Sequence, residues 1–544
     1  MTVFAVLMAV WALGATEVPD VVTVAGAGFT NVLKRSGNTW RGHGVTAELS
    51  EDGRVSIAAP TEELIWMRLD WKQDWPADAR CLADAWERTY GDHEWKALGA
   101  EERISPWYFL VNADGRTDGY GVGVQPNAFA CWVISRAGYS LRLDLRAGSE
   151  PVCLGGRKLE AVRIVRRTGA RGESAFQAGC AFCRMMCPVP RLPKEPVYGY
   201  NDWYCAYGQN SATNFLSDAA ACIEVLRDPS GGSRVTNRPF LVADDGWQFK
   251  GPNDESAPGL RWASHNAAWG LSMDVFAERV KALDARPGLW YRPFVPDEGW
   301  RAGPIDPTDP KWARQIREEM KRFVDWGFEL VKIDFITYDW NHMWGLELGE
   351  SPVKTRLPRW RDRTRTTAEV IRGLYAVMRE AAGDHMYIIG CNAIDHFAAG
   401  LFEVQRTGDD TSGREWERTR KMGPNTLAMR AIHNGTFYQV DADCVGLASP
   451  DAIPWRLNAQ WLDLVARSGT ALFVSWKKNL LNDDVRVALR EGFIRASHRQ
   501  TTAEPLDWFS DRCPRHWRFS DGEGAYDWSE ASGLKRVSPK RYRD

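Results

Sequence analysis

The chain has 544 residues, 44% of them hydrophobic, and a formal net charge of −2. That length and apolar content provide for two or three domains around a sizeable core and exclude wholesale disorder. The near-neutral balance speaks against a nucleic-acid binder, which carries a basic excess; the 27 Trp supply flat faces that stack on sugars as well as fill cores.

The first residues, "MTVFAVLMAVWALGATEVP", carry an apolar run from Val3 to Leu13 followed by small residues. The run is too short to span a bilayer and fits an export signal cleaved near Gly14 or Ala15. Residues 1–15 are therefore expected to be a signal peptide and the protein to be periplasmic or extracellular. No Lys or Arg precedes Lys34, so a buried first strand is the rival reading. No other run approaches membrane-span length, and no membrane partner is expected.

Residues 16–190 read as a β-sandwich. Short alternating runs such as "VTAELSEDGRVSIAAP", "WYFLVNADG" and "ACWVISRAGYSLRLDLRAG" are separated by Gly, Asp and Asn turns. Within this region "CAFCRMMC" places Cys180, Cys183 and Cys187 close together. A structural zinc site wants a fourth ligand that is not evident, so buried thiols, or one disulfide after export, are expected. "CPVPRLPKEPVYGY" then reads as a stiff proline-rich linker.

From 191 to 498 short apolar strands alternate with helical stretches, the pattern of βαβ units. Eight strands are expected, at 197–204, 238–247, 286–294, 328–336, 385–393, 401–410, 436–444 and 470–476. Between the third and fourth, "DPKWARQIREEMKRFVDWG" predicts a helix with Asp309 as N-cap and Pro310 at its first position. Eight such units make a (β/α)8 barrel of the TIM type, class α/β. Residues 499–544 are expected to form a small C-terminal β region ending in a solvated basic tail.

In such a barrel the chemistry sits at the C-terminal ends of the strands. Those ends carry Asp202 and Trp203; Asp244, Asp245 and Trp247; Trp290, Tyr291 and Arg292; Lys332 and Asp334; Cys391 and Asn392; Arg406, Asp409 and Asp410; Asp441 and Asp443; and Ser475 and Trp476. Several carboxylates converging on one mouth, with no His among them, argue against a His-rich zinc site. An acidic cage for Mg2+ or Ca2+ and a Schiff base on Lys332 remain open on these residues alone. Lys332 and Asp334 differ by two and are expected to pair on one side of strand 4, which would keep the carboxylate ionised. Two carboxylates flanking an acetal, with aromatics for the sugar face, are the glycosidase arrangement.

The segments "ADDGWQ" (243–248), "LVKIDF" (330–335), "RTGDD" (406–410) and "YQVDADC" (438–444) resemble, in order and spacing, the strand motifs of clan D glycoside hydrolases. These are the family 36 and 27 α-galactosidases, with the α-N-acetylgalactosaminidases and raffinose synthases. The resemblance implies that Asp334 is the nucleophile and Asp409 the general acid/base, with Asp410 the alternative if the register slips. It implies that Asp244, Asp245 and Lys332 bind sugar hydroxyls, that Trp203 and Trp247 wall the site, and that Arg406 lies beside the acid/base. Cys391, Asn392 and Asp443 complete the expected substrate contacts. The implied function is a retaining, exo-acting α-glycosidase on terminal α-galactosides of an oligosaccharide or glycoconjugate, with no metal or organic cofactor. The alternatives are an α-galactosyl transglycosylase, an α-N-acetylgalactosaminidase or β-L-arabinopyranosidase, and a catalytically silent carbohydrate-binding protein. Two segments depart from the family pattern: "DFIT" replaces its Asp-Met-Asn continuation of strand 4, and "GCNAIDHFAAG" its Gly-rich turn after strand 5.

Overall fold

Strands whose burial alternates residue by residue build the N-terminal region, as in Val45–Leu49 and Arg54–Ala58. One face of each strand turns to a core and the other to water. The computed structural model describes residues 17–226, 235–251, 254–299, 303–411, 413–447 and 453–529. The expected signal segment (1–15) and the basic tail (534–544) lie outside the described residues. Up to Arg167 the chain forms two antiparallel sheets, one of seven and one of nine strands. Aromatic rings interlock between them: Phe109 meets Trp132 at 5.5 Å and Tyr120 meets Tyr139 at 5.2 Å between centroids.

The all-β reading of 16–190 fails at one place. Ala175–Met186 is a helix, opened by a capping box in which Ser174 Oγ accepts from the Gln177 N–H and the Gln177 side chain accepts from the Ser174 N–H. Its buried face carries Cys180 and Cys183, an i, i+3 pair, and Cys187 is its C-cap. All eleven cysteines are free thiols.

Fully buried parallel strands then build the second domain: Tyr198–Asn201, Phe240–Ala243, Arg286–Tyr291, Leu330–Ile333, Tyr387–Gly390, Val404–Arg406, Gln439–Asp441 and Leu472–Trp476. They pair in chain order, and a parallel bridge between Asp441 and Ala471 joins the seventh to the eighth and closes the barrel. Strand 7 is interrupted after Asp441 and resumes as Val445–Leu447 along strand 8; between the halves, Asp443 takes a left-handed φ of 69°. Helices follow the strands. In Pro310–Asp325, Asp309 accepts from the Lys311 N–H at 2.9 Å and Pro310 occupies the first turn. A three-stranded sheet, Glu504–Pro505, His516–Phe519 and Gly522–Ala525, ends the described chain. Among the described residues no helix is long and apolar enough to cross a membrane.

The two large domains are joined by a buried polar network. Arg430 of the barrel lies between Asp84 of the sandwich at 3.0 Å and Asp395 at 2.7 Å, all three almost inaccessible. Tyr108 of the sandwich contacts His433 Nε2 at 2.6 Å, and the Tyr438 hydroxyl donates to Asp395. Asp84, Asp395 and His433 converge as metal ligands would, but Arg430 already supplies the positive charge there. Burial drives His433 well below its ordinary pKa, helped by the neighbouring Arg430, so it is neutral. Breaking a buried ion pair from one side costs about 3–5 kcal/mol, so this junction holds the two domains in one register.

Candidate active site

The C-terminal mouth of the barrel holds a cavity of about 330 Å3 lined by Trp203, Asp244, Asp245, Trp290, Lys332, Asp334, Phe335, Arg406, Asp409 and Asp410. Arg88 and Tyr90 from the sandwich, and Trp344 and Leu346 from the segment after strand 4, complete the wall. A smaller hollow of about 100 Å3 lies at the opposite end of the barrel, with Glu195 its one carboxylate.

Asp244 and Lys332 form the floor. Lys332 Nζ donates to Asp244 Oδ2 at 2.7 Å, Asn201 Nδ2 donates to the same oxygen at 2.7 Å, and the Asp245 N–H donates to Oδ1 at 2.9 Å. Burial alone would lower the Lys332 pKa, but Asp244 holds it well above the ordinary lysine value, so the ammonium is charged. Beneath them the Asp244 N–H donates to Asp202 Oδ1 at 2.8 Å, and burial pushes Asp202 up to about 7. Asp245 accepts from Gln248 Nε2 at 2.6 Å and projects into the cavity beside Lys250.

The expected Lys332–Asp334 pair does not form; the ammonium is taken by Asp244. Strand 4 ends at Ile333, and Phe335 turns the chain with a φ of 58°, so the two-residue alternation stops just where the pairing relied on it. Asp334 is held by other donors: its Oδ2 accepts from the Trp290 indole N–H at 3.2 Å and its Oδ1 from the Phe335 N–H at 2.8 Å. One oxygen is thereby fixed from the ring side and the other from its own backbone, with the carboxylate half-buried at the cavity edge.

Asp409 and Asp410, which follow strand 6, both line the cavity two strands along from Asp334. Asp409 Oδ1 lies 3.2 Å from Arg88 Nη2, and Oδ2 accepts from Arg418 Nη2 at 2.7 Å; its side chain is 16% exposed. Asp410 is 37% exposed and accepts from Arg406 Nη2 at 2.6 Å. Burial would raise the Asp410 pKa, but Arg406 and Arg88 outweigh it and hold the carboxyl well below its usual range.

Four expected substrate contacts lie behind this wall. Trp247 is 0% exposed: Gly246, at φ 120°, turns the chain so that the indole N–H donates to the Trp290 carbonyl at 3.0 Å, beneath the cavity rather than beside it. The Cys391 thiol accepts from Arg406 Nη1 at 3.2 Å, and burial raises it to about 12, so it is a neutral spacer. Asn392 Nδ2 donates to Glu87 Oε1 at 2.8 Å. Asp443 accepts from Tyr204, from the Thr411 N–H at 2.8 Å and faces Arg406 at 3.0 Å. Residues 391 and 392 are covered by the sandwich segment Glu87–Tyr90. Of the four wall residues that sequence reasoning misses, two are Trp344 and Leu346, and the other two, Arg88 and Tyr90, lie on this segment. Its signal was present in "WERTYGDHEW", where charges and aromatics break the alternation of the flanking strands.

No protein-family model matches the sequence, and no curated protein matches it. Solved structures do. TtGalA, an α-galactosidase from Thermus thermophilus in complex with p-nitrophenyl α-D-galactopyranoside, superposes with a TM-score of 0.57 at 16% identity, over 93% of this chain and 99% of that one. The GH36 α-galactosidase AgaA from Geobacillus stearothermophilus gives 0.58 at 15% identity, over 93% and 78%. An α-galactosidase from Lactobacillus brevis gives 0.55 at 12%, over 88% and 70%. The chain has the sandwich-plus-barrel fold of these α-galactosidases.

Proposed function

We propose that the protein is a retaining, exo-acting α-glycosidase that removes terminal α-galactosyl residues. The observation that carries this reading is the disposition of carboxylates around one cavity. Asp334 stands on one wall with indole and backbone donors, Asp409 and Asp410 stand on another, and the Asp244–Lys332 floor offers a charged acceptor and donor to sugar hydroxyls. The floor is closed, so a sugar enters by its end. The shared fold supports the same reading, and TtGalA is known in complexes with a nitrophenyl α-galactoside and with stachyose.

In the first step an Asp334 oxygen attacks the anomeric carbon, the glycosidic C–O bond breaks, and the leaving oxygen takes the acid's proton. In the second, water attacks that carbon, gives its proton to the same carboxylate and releases Asp334, with the α configuration retained. The sequence resemblance nominates Asp409 as this acid/base. Asp410 is the more exposed of the two, but the Arg406 pair that holds its carboxyl ionised opposes proton donation, while Asp409 is bound by Arg88 and Arg418; the Asp409→Ala and Asp410→Ala variants separate the two.

The test is a plate of nitrophenyl α-galactoside, α-N-acetylgalactosaminide, β-L-arabinopyranoside and α-glucoside with wild type, Asp334→Ala, Asp409→Ala and Asp410→Ala, each with and without azide. Azide is expected to rescue Asp334→Ala with formation of the β-galactosyl azide. It should rescue the acid/base variant with formation of the α-azide. Full activity of Asp334→Ala without azide refutes the assignment.

A further inference from the structure

The wall beside Asp409 is built by the other domain. Thr89 of the sandwich pairs with the end of strand 6 as a parallel bridge: its N–H donates to the Thr407 carbonyl at 2.8 Å, and its carbonyl accepts from the Asp409 N–H at 2.9 Å. The peptide that carries Asp409 is thus fixed by a residue 320 positions earlier in the chain. Next to Thr89, the Arg88 guanidinium lies 3.2 Å from Asp409 and 3.7 Å from Asp410, with its side chain 7% exposed.

Arg88 has little freedom. Its Nε donates to the Tyr90 hydroxyl at 3.0 Å, that hydroxyl donates to Glu87, and Glu87 also accepts from Asn392 at 2.8 Å. From below, Arg430 Nη1 donates to the Glu87 carbonyl at 2.7 Å. A planar guanidinium with fixed donor directions, held at its Nε, orients two adjacent carboxylates in a way that a flexible ammonium does not.

We infer that Arg88 is a positioning residue for the proton-transfer step: it sets the Asp409–Asp410 pair toward the glycosidic oxygen, and the N-terminal sandwich is therefore part of the catalytic unit. This rests on the glycosidase reading above. A residue that acts through the acid/base affects substrates according to how much they need the proton. An alkoxide leaves poorly without protonation, while a nitrophenolate leaves almost unaided. A residue that only glues two domains lowers both alike.

The experiment measures kcat/KM, which reports the first step, for methyl α-galactoside and nitrophenyl α-galactoside in the full-length chain. Arg88→Met is expected to lose about 100-fold or more on the methyl glycoside, the range of general acid catalysis, and less than about 10-fold on the nitrophenyl glycoside. Arg88→Lys should fall between wild type and Arg88→Met, with the same selectivity. Equal losses on both substrates, or none on either, overturn the inference. Should Arg88→Met fail to fold, Tyr90→Phe removes only the hydroxyl that anchors Nε, and the same selective loss, smaller, is expected; an equal or absent loss overturns the inference there as well. A wild-type chain inert toward every α-glycoside refutes the functional reading itself and this inference with it, whereas parallel losses in an active enzyme refute only the role of Arg88.

Discussion

Asp202 lies under the Asp244–Lys332 floor with 2% of its surface exposed, and burial lifts its carboxyl from 3.8 to about 7 against the opposing bonds from the Asp244 N–H and Asn210. The folded chain therefore keeps a proton that the unfolded chain releases, so this residue makes stability fall as pH rises from about 4 to about 7. The interval is worth roughly 4 kcal/mol at 1.36 kcal/mol per pH unit. Asp202→Asn removes the titration while keeping the shape. Asn210 Nδ2 now donates to Asp202 Oδ2 at 3.0 Å, and its own Oδ1 is buried without a partner. A half-turn of that amide would present Oδ1 to the introduced NH2. Urea unfolding of wild type and Asp202→Asn in parallel, from pH 4.5 to 8, cancels every group the two share. The variant is expected to gain on wild type up to about pH 7 and then to level off, by about 3 kcal/mol in total, and the wild-type-minus-variant infrared spectrum at pH 6 should show one protonated carboxyl lost. A stability difference that stays constant from pH 5 to 8 refutes the reasoning.

Arg430→Met leaves Asp84 and Asp395 buried without their shared cation and should cost about 3–5 kcal/mol in urea unfolding; a loss below about 1 kcal/mol would show the junction to be dispensable. The two tryptophans expected from sequence to wall the site should separate. Trp203→Ala, at the cavity, should raise KM for a galactoside with little effect on the melting temperature. Trp247→Ala, in the core, should cost about 3–5 kcal/mol of stability, and a raised KM in a fully stable Trp247 variant would return that residue to the wall.

Legibility in the sequence followed the range of the interactions involved. The barrel was readable because its strands are short, fully buried and parallel, which writes continuous apolar runs into the sequence, and because their C-terminal ends carry Asp244, Asp334, Asp409 and Asp410. Alternation puts Lys332 on the right strand but pairs it with Asp334, where the structure pairs it with Asp244. Alternation predicts direction only while the strand lasts, and this one stops one residue before Asp334. Trp247 reads equally well as wall or core, because an indole serves both, and the turn at Gly246 decides for the core. The helix Ala175–Met186 was hidden inside a region read as strands, although Ser174 and Gln177 spelled its capping box.

What composition and periodicity could not carry was the sandwich's share in the site. Asn392 meets Glu87 across 305 residues and Arg88 meets Cys391 across 303, and no local pattern encodes a contact of that span. The cost of such a design is that the wall carrying Asp409 is complete only when both domains are docked. Its consequence is specific. The same cation network that holds the domains together, through Arg430 at Asp84, Asp395 and the Glu87 carbonyl, also fixes the segment that aims Arg88. Loosening the junction should therefore damage proton transfer before it unfolds the barrel. In Arg430→Met at low urea, hydrolysis of methyl α-galactoside is expected to fail at a lower concentration than hydrolysis of nitrophenyl α-galactoside. Coincident loss of the two activities would mean that the domains separate only as the barrel itself unfolds.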